Sequence, residues 1–241
     1  MSEQVNIPSI DALLASGSHY GHTTSRWHPK AKPFLFGKRG EIHVIDVART
    51  RDKLAEAAEF VAKLASEGKP VLFVGVKPLA RKIIKAHAER AGSPYVVNRW
   101  IGGMLTNWAA ISNMQKRMKK YEDDKASGRL SKYTKYEQLE FTQEYDKLNQ
   151  DIGGIRSLTS GKPGAVFIVD VKYDKTALAE ARKLAVPVVA LSDSNVDPSK
   201  ITHPIPANDD SLKSIELITA VIADAVIAGK SKKTDPETSS G

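Results

Sequence analysis

Val71-Leu72-Phe73-Val74-Gly75-Val76 is the stretch that decides the fold, because an unbroken apolar run of this length is what a parallel sheet buries on both faces. Residues 77–91 follow it with Leu79, Ile83, Ile84 and Ala88 at helical spacing, Pro78 suited to a first turn and Gly92 to a stop. Tyr95-Val96-Val97 is a short second strand, so the segment reads as one βαβ unit. A similar unit comes later, with strands at 165–169 and 186–191 around a helix at 176–185. Crossovers of this kind are right-handed almost without exception, which makes a doubly wound, mainly parallel α/β sheet the expected fold.

Working outward, residues 42–47 read as a further strand and residues 50–66 as a helix with Leu54, Ala57, Ala58, Val61 and Leu64 on one face. Residues 7–14 suit a short helix. Residues 211–228 carry Leu212, Ile215, Ile218, Ile222 and Val226, a helix for the sheet to pack on. The polar residues 230–241 are expected to be disordered. The middle breaks the pattern with two narrow stripes, Leu105, Trp108, Ile111, Met114, Met118 and Tyr121, then Phe141, Tyr145, Leu148, Ile152 and Ile155. They predict an antiparallel helical hairpin turning near Gly128 that projects from the sheet domain without enlarging its core. The sheet domain is then discontinuous, 1–104 and 156–229, around an insert at 105–155.

The chain has 241 residues, with 36 Lys and Arg against 28 Asp and Glu, a formal charge of +8 that favours a polyanionic partner. With 41% hydrophobic residues a sizeable core is expected, and no run approaches the roughly 20 apolar residues that cross a bilayer. The N-terminus lacks a secretory pattern, so the expectation is a cytoplasmic protein with no membrane contact. Without cysteine there is no disulfide, thiolate zinc site or cysteine nucleophile.

The segment 18–40 interleaves cations and aromatics on a backbone punctuated by Gly and Pro, with almost no acid between Asp11 and Glu41. Arg26, Lys30, Lys32, Lys38 and Arg39 suit phosphate contacts, and Trp27 an anchor. The plainer alternative is a solvated basic loop. His19 and His22, with His28 and His43 nearby, raise zinc as a question, but their spacing is loose and packing or RNA-facing roles fit them better. Arg99-Trp100-Ile101-Gly102-Gly103 joins a strand to a helix; its paired glycines could cradle a phosphate, although a rigid turn presenting Arg99 to RNA suits them better than a nucleotide site. Asp46, Asp170 and Asp193 fall at strand ends, where a magnesium-dependent enzyme would place carboxylates and where helix caps are also common. In the hairpin, Lys116 and Arg117 open a cluster of cations, against the alternative of a solvated face with intrahelical pairs.

Four stretches together resemble the bacterial small-subunit ribosomal protein S-two family. They are Gly21-His22 with Arg26-Trp27-His28-Pro29-Lys30 and Lys32-Pro33-Phe34; Ile42-His43-Val44-Ile45-Asp46; Arg99 through Asn107; and Ser192-Asp193-Ser194-Asn195-Val196-Asp197-Pro198 with Pro204-Ile205-Pro206-Ala207-Asn208-Asp209-Asp210. The chain departs from the family pattern at His28, where Asn is common, and at Val196, where Cys is common. The resemblance implies a flavodoxin-like sheet with an inserted coiled-coil hairpin. It also implies a non-catalytic structural role in the small ribosomal subunit, with small-subunit rRNA, protein S-one and neighbouring subunit proteins as partners. No cofactor and no homo-oligomer are expected. The residues expected to hold RNA are Arg26, Trp27, Lys30, Lys32, Lys38, Arg39, Arg99, Trp100, Gly102, Gly103, Lys116 and Arg117.

Overall fold

Every residue of β4 (Val71–Val74), β6 (Ala165–Ile168) and β7 (Val188–Ser192) is buried, which is why these segments read as continuous apolar runs. In the computed structural model, which describes residues 5–234, they are joined by β5 (Tyr95–Val96) and β8 (His203–Pro206) in a five-stranded parallel sheet. The spatial order is β5-β4-β6-β7-β8, or 2-1-3-4-5 in chain order, one of the two common doubly wound arrangements. Alternate side chains serve opposite faces. Phe73, Phe167, Val189, Leu191 and Ile205 pack against α2 (Val47–Ser66), α3 (Arg81–Arg90) and α7 (Leu212–Thr234). Leu72, Val74, Val166, Ile168, Val188 and Ala190 pack against α6 (Lys175–Lys183) and the inner ends of α4 (Trp108–Ala126) and α5 (Lys135–Ile152). The Phe73 and Phe167 rings meet edge-on at 5.4 Å in the first layer, where truncating either to Ala costs about 3–5 kcal/mol.

Several boundaries differ from the sequence reading. The strand at 42–47 is β3 (Ile42–Ile45), and it belongs to a separate antiparallel sheet, β1-β3-β2, with β1 (Tyr20–Thr23) and β2 (Leu35–Arg39). Those two strands lie within the segment read as a basic loop; partly exposed, with Lys38 and Arg39 on β2, they carry no apolar run. β8 is a further strand absent from the sequence reading, because Pro204 and Pro206 argue against a strand, yet an edge strand tolerates them. The first helix is α1 (Ile10–Ala15), capped by Ser9. α3 starts at Arg81, because residues 77–80 form a turn that directs Lys77 elsewhere. α7 continues through Thr234, so residues 230–234 are helical, and the remainder of the expected tail lies outside the described residues.

The two middle helices run antiparallel, as shown by the Gln115 side-chain amide donating to the Ile155 carbonyl while Tyr121 pairs with Thr142 and stacks on Tyr145 at 4.7 Å. Gly128 opens the turn between them, and Thr134 with Glu137 forms a capping box on α5. The expectation that this pair leaves the core unchanged is corrected. Ile111, Met118, Ile152 and Ile155 are buried within the second core layer, so the inner ends complete it.

Candidate nucleic-acid interface

Because all five strands are parallel, the loops following them gather along one rim, the place where doubly wound sheets carry their ligands. The centre of that rim is filled by charge. Lys77, three residues past β4, places Nζ 2.9 Å from Asp170, 3.2 Å from Asp209 and 2.6 Å from Asp210. Partial burial would lower the Lys77 ammonium, but its hydrogen bond to Asp210 and the charges of Asp209 and Asp170 outweigh that and raise it. Burial, with Asp170 and Asp193 close by, pushes the Asp209 carboxyl up. Asp174, buried beside them and accepting the Val76 N–H, is pushed up to about 6 by desolvation.

The three strand-end aspartates singled out from the sequence therefore have other partners. Asp46 caps α2 through the Ala48 N–H at 3.0 Å. Asp170 accepts the Lys172 and Tyr173 N–H groups as well as Lys77. Asp193 accepts from Ser194 and pairs with His22 Nδ1 at 3.1 Å, and that hydrogen bond is the main cause of the raised His22 pKa. The switch point between β4 and β6 is bridged by the Lys77–Asp170 pair.

The histidines separate. His19 lies against Tyr20 and His43 against Trp27, and burial lowers the pKa of both. His28 accepts the Lys30 N–H through Nδ1, capping the turn over Pro29–Phe34 as an Asn side chain would. Of these four, among the described residues, His22 alone meets carboxylates: it, Asp193 and Asp209 offer ligand atoms within 4.8 Å of one another, a donor set that could hold a divalent cation. Gly21 permits this approach, since a Cβ there would lie 2.8 Å from Ser194 Oγ, the atom that accepts the His22 N–H.

The basic segment flanks one end of the rim. β1, β3 and β2 dock on the loop after β7 through the His28 N–H to the Ser194 carbonyl and through Lys30, which reaches Asp197 at 3.2 Å and Ser199 at 2.9 Å. Ser199 first and then Lys30 hold the Asp197 carboxyl down at about 2. Arg26, Lys32, Lys38 and Arg39 are exposed and form no ion pair among the described residues. Trp27 is half-buried on His43, and Phe36 is 81% exposed beside an open groove lined by Lys30, Lys32, Pro33 and Arg49.

Arg99 is exposed at the far end of the rim, after edge strand β5, three strand spacings or roughly 14 Å from β7. The structure thus puts both basic segments on one rim but divides them by the acid-rich centre. Gly102 is exposed, and Trp100 is held by the carboxylate of Glu180, which also takes the Gly103 N–H. Lys116 is exposed on α4 beside Lys119 and Lys120, whereas Arg117 on α4 is paired with Glu144 on α5. Lys77, Glu180 and Asp209 do not stand out in the sequence as site residues. The only signal is composition, since the contacts of Lys77 with Asp170 and Asp209, and of Glu180 with residues 100–106, each span 74 or more residues and no local spacing links them.

The family model described as ribosomal protein S2 matches residues 13–229. A protein of Fusobacterium nucleatum subsp. nucleatum named small ribosomal subunit protein uS2 is 46% identical over 226 residues, covering 93% of this chain and 91% of that protein. Another of the same name from Roseiflexus sp. is 44% identical over 225 residues, covering 93% and 86%. A match that runs from α1 into α7, across every loop of the rim, shows that the chain belongs to the ribosomal protein S2 family.

Proposed function

We propose that this chain is a non-catalytic structural constituent of the small ribosomal subunit, and that it grips small-subunit rRNA at two separated basic platforms. One comprises Lys38 and Arg39 on β2 of the antiparallel sheet, with Arg26 and Lys32 on the connection between β1 and β2. The other comprises Arg99 at the far edge and Lys116 on the hairpin, residues 105–155, which acts as an inserted arm in the manner of the family's coiled coil. The carrying observation is that these six cations are exposed without ion pairs among the described residues, while the acids of the rim are taken up by Lys77 and His22. Unpaired surface cations release counterions from a polyphosphate, and the acidic centre repels it, so the backbone is expected to cross the rim at its ends. Lys30 and Arg117 contribute less, because each must first give up a carboxylate.

Replacing Arg26, Lys32 and Lys38 together by Ala tests this. The log-log salt slope of rRNA binding is expected to flatten by about 0.9 for each phosphate that is no longer neutralised. An unchanged slope would remove the antiparallel sheet from the interface. Recruitment of protein S-one is part of the same proposal and rests on the family. Small subunits assembled without this chain are expected to lose S-one, and retention would overturn that part.

A further inference from the structure

The loop that leaves β5 for the hairpin turns its donors inward. Gly103 N lies 2.7 Å and Trp100 Nε1 3.1 Å from Glu180 Oε1, while Leu105 N at 3.0 Å, Thr106 N at 3.1 Å and Thr106 Oγ1 at 3.1 Å all reach Oε2. Such converging N–H groups form an anion nest. Glu180 fills it from the α6 side and is 8% exposed. An RNA phosphate cannot use the nest without expelling that carboxylate, so the paired glycines do not serve phosphate directly.

Within the loop the Met104 N–H donates to the Ile101 carbonyl and the Asn107 N–H to the Gly103 carbonyl, Met104 and Leu105 are buried in the second core layer, and Glu180 supplies the side-chain anchor. α4 starts at Trp108 after Asn107, whose side chain makes no capping bond, and the side-chain anchors nearest the helix start lie one and two residues before Asn107, at Thr106 and Leu105. Both donate to Glu180. Arg99 lies at the other end of the same tied segment, next to Trp100. We propose that Glu180 is a positioning residue for RNA contact, an internal carboxylate that stands in the nest and thereby aims Arg99 and the first helix of the hairpin. The proposal rests on the reading that Arg99 and the hairpin meet rRNA. Burial works against the charge of Glu180, but the Gly103 and Thr106 amides, with Trp100 and Leu105, hold its pKa below the usual range, in keeping with a carboxylate kept ionised for this task.

The test uses the full-length protein and a small-subunit rRNA transcript, with hydrogen exchange read at the Gly103, Leu105 and Thr106 amides. In chloride buffer Glu180→Ala is expected to expose those amides and weaken binding about tenfold, the loss of one charge-assisted anchor. Acetate at equal ionic strength, which supplies a carboxylate to the vacated nest, is expected to restore both. Adding Arg99→Ala to Glu180→Ala is expected to cost less than Arg99→Ala alone, whereas Arg26→Ala is expected to cost the same in either background. If Glu180→Ala does not fold, Glu180→Gln keeps the volume but loses the charge, and the same exchange, affinity and Arg99 comparisons are made on it in chloride. Wild-type affinity in a variant whose loop amides are exposed would overturn the proposal, as would full additivity with Arg99→Ala. Failure of the RNA reading itself looks different: the wild type does not bind the transcript, or Arg99→Ala binds it as the wild type does.

Discussion

Lys77 Nζ lies 2.9 Å from Asp170 Oδ2 and so joins the ends of β4 and β6 across the switch point of the sheet. The same ammonium serves Asp209, which is only 2% exposed. Replacing Lys77 by Met leaves those carboxylates without their counter-charge. The expected loss is about 3 kcal/mol, the lower end of the range for breaking a buried pair, because Asp210 still reaches solvent. The urea midpoint measures it, and an unchanged midpoint would mean that the cluster adds nothing to stability.

The two adjacent glycines of the β5–α4 loop should respond differently. Gly103 has φ +90°, and a Cβ there would lie 3.1 Å from that of Asn107; nothing stands within 4 Å of a Cβ on Gly102. Gly103→Ala is therefore expected to cost about 1–2 kcal/mol. Gly102→Ala is expected to stay within about 0.5 kcal/mol of the wild type. Thermal melts of the two variants check the contrast.

Ala185 is the one non-glycine with positive φ among the described residues, at 52°. It follows α6, where Val186 N–H returns to the Ala181 carbonyl and Ala185 N–H to that of Arg182, the closing bonds of a helix end that favours glycine. Ala185→Gly is expected to stabilise the protein by about 1 kcal/mol, net of the extra freedom glycine gives the unfolded chain. A melting temperature that stays level or falls would contradict it.

His203 stacks on Phe60 at 4.1 Å, and burial first, then Lys53, lower its pKa against the opposing pull of Glu56. A depressed histidine folds best when neutral. Above its unfolded pKa of 6.5 neither state is protonated and the contribution is complete; as pH falls through 6.5 the unfolded chain takes the proton more readily and stability is lost. His19 and His43, both lowered by burial, act in the same direction, whereas His22, raised by Asp193, opposes them. His203→Phe is expected to reduce the drop in urea midpoint between pH 8 and pH 5.5, and an identical drop in both proteins would remove His203 from the effect.

The parallel strands are legible because burial on both faces demands an apolar residue at every position, as Val71–Val74 and Ala165–Ile168 show. β1 and β2 are not, because a small sheet with exposed faces needs no such run, and β8 is hidden because its prolines fit only at an edge. The stripes through Ile111 and Met118 and through Ile152 are visible, but a three-and-four spacing describes a helix pair and a core-facing helix equally well. Likewise Gly102-Gly103 reads from the sequence as a turn that offers backbone donors. What those donors meet, the carboxylate of Glu180, lies 77 residues from Gly103.

Amino-acid order alone was enough for the wound α/β body, the helical pair and the basic segments, because each is written in a local period or a local excess of charge. Folding decided the rest: that Arg26 and Arg99 share a rim yet stand apart, that Lys77 and three aspartates fill the space between, and that Arg117 is spent on Glu144 while Lys116 is free of an ion pair among the described residues. Charge partners are chosen by distance in space, and a parallel sheet brings together strand ends that its own crossovers keep far apart along the chain.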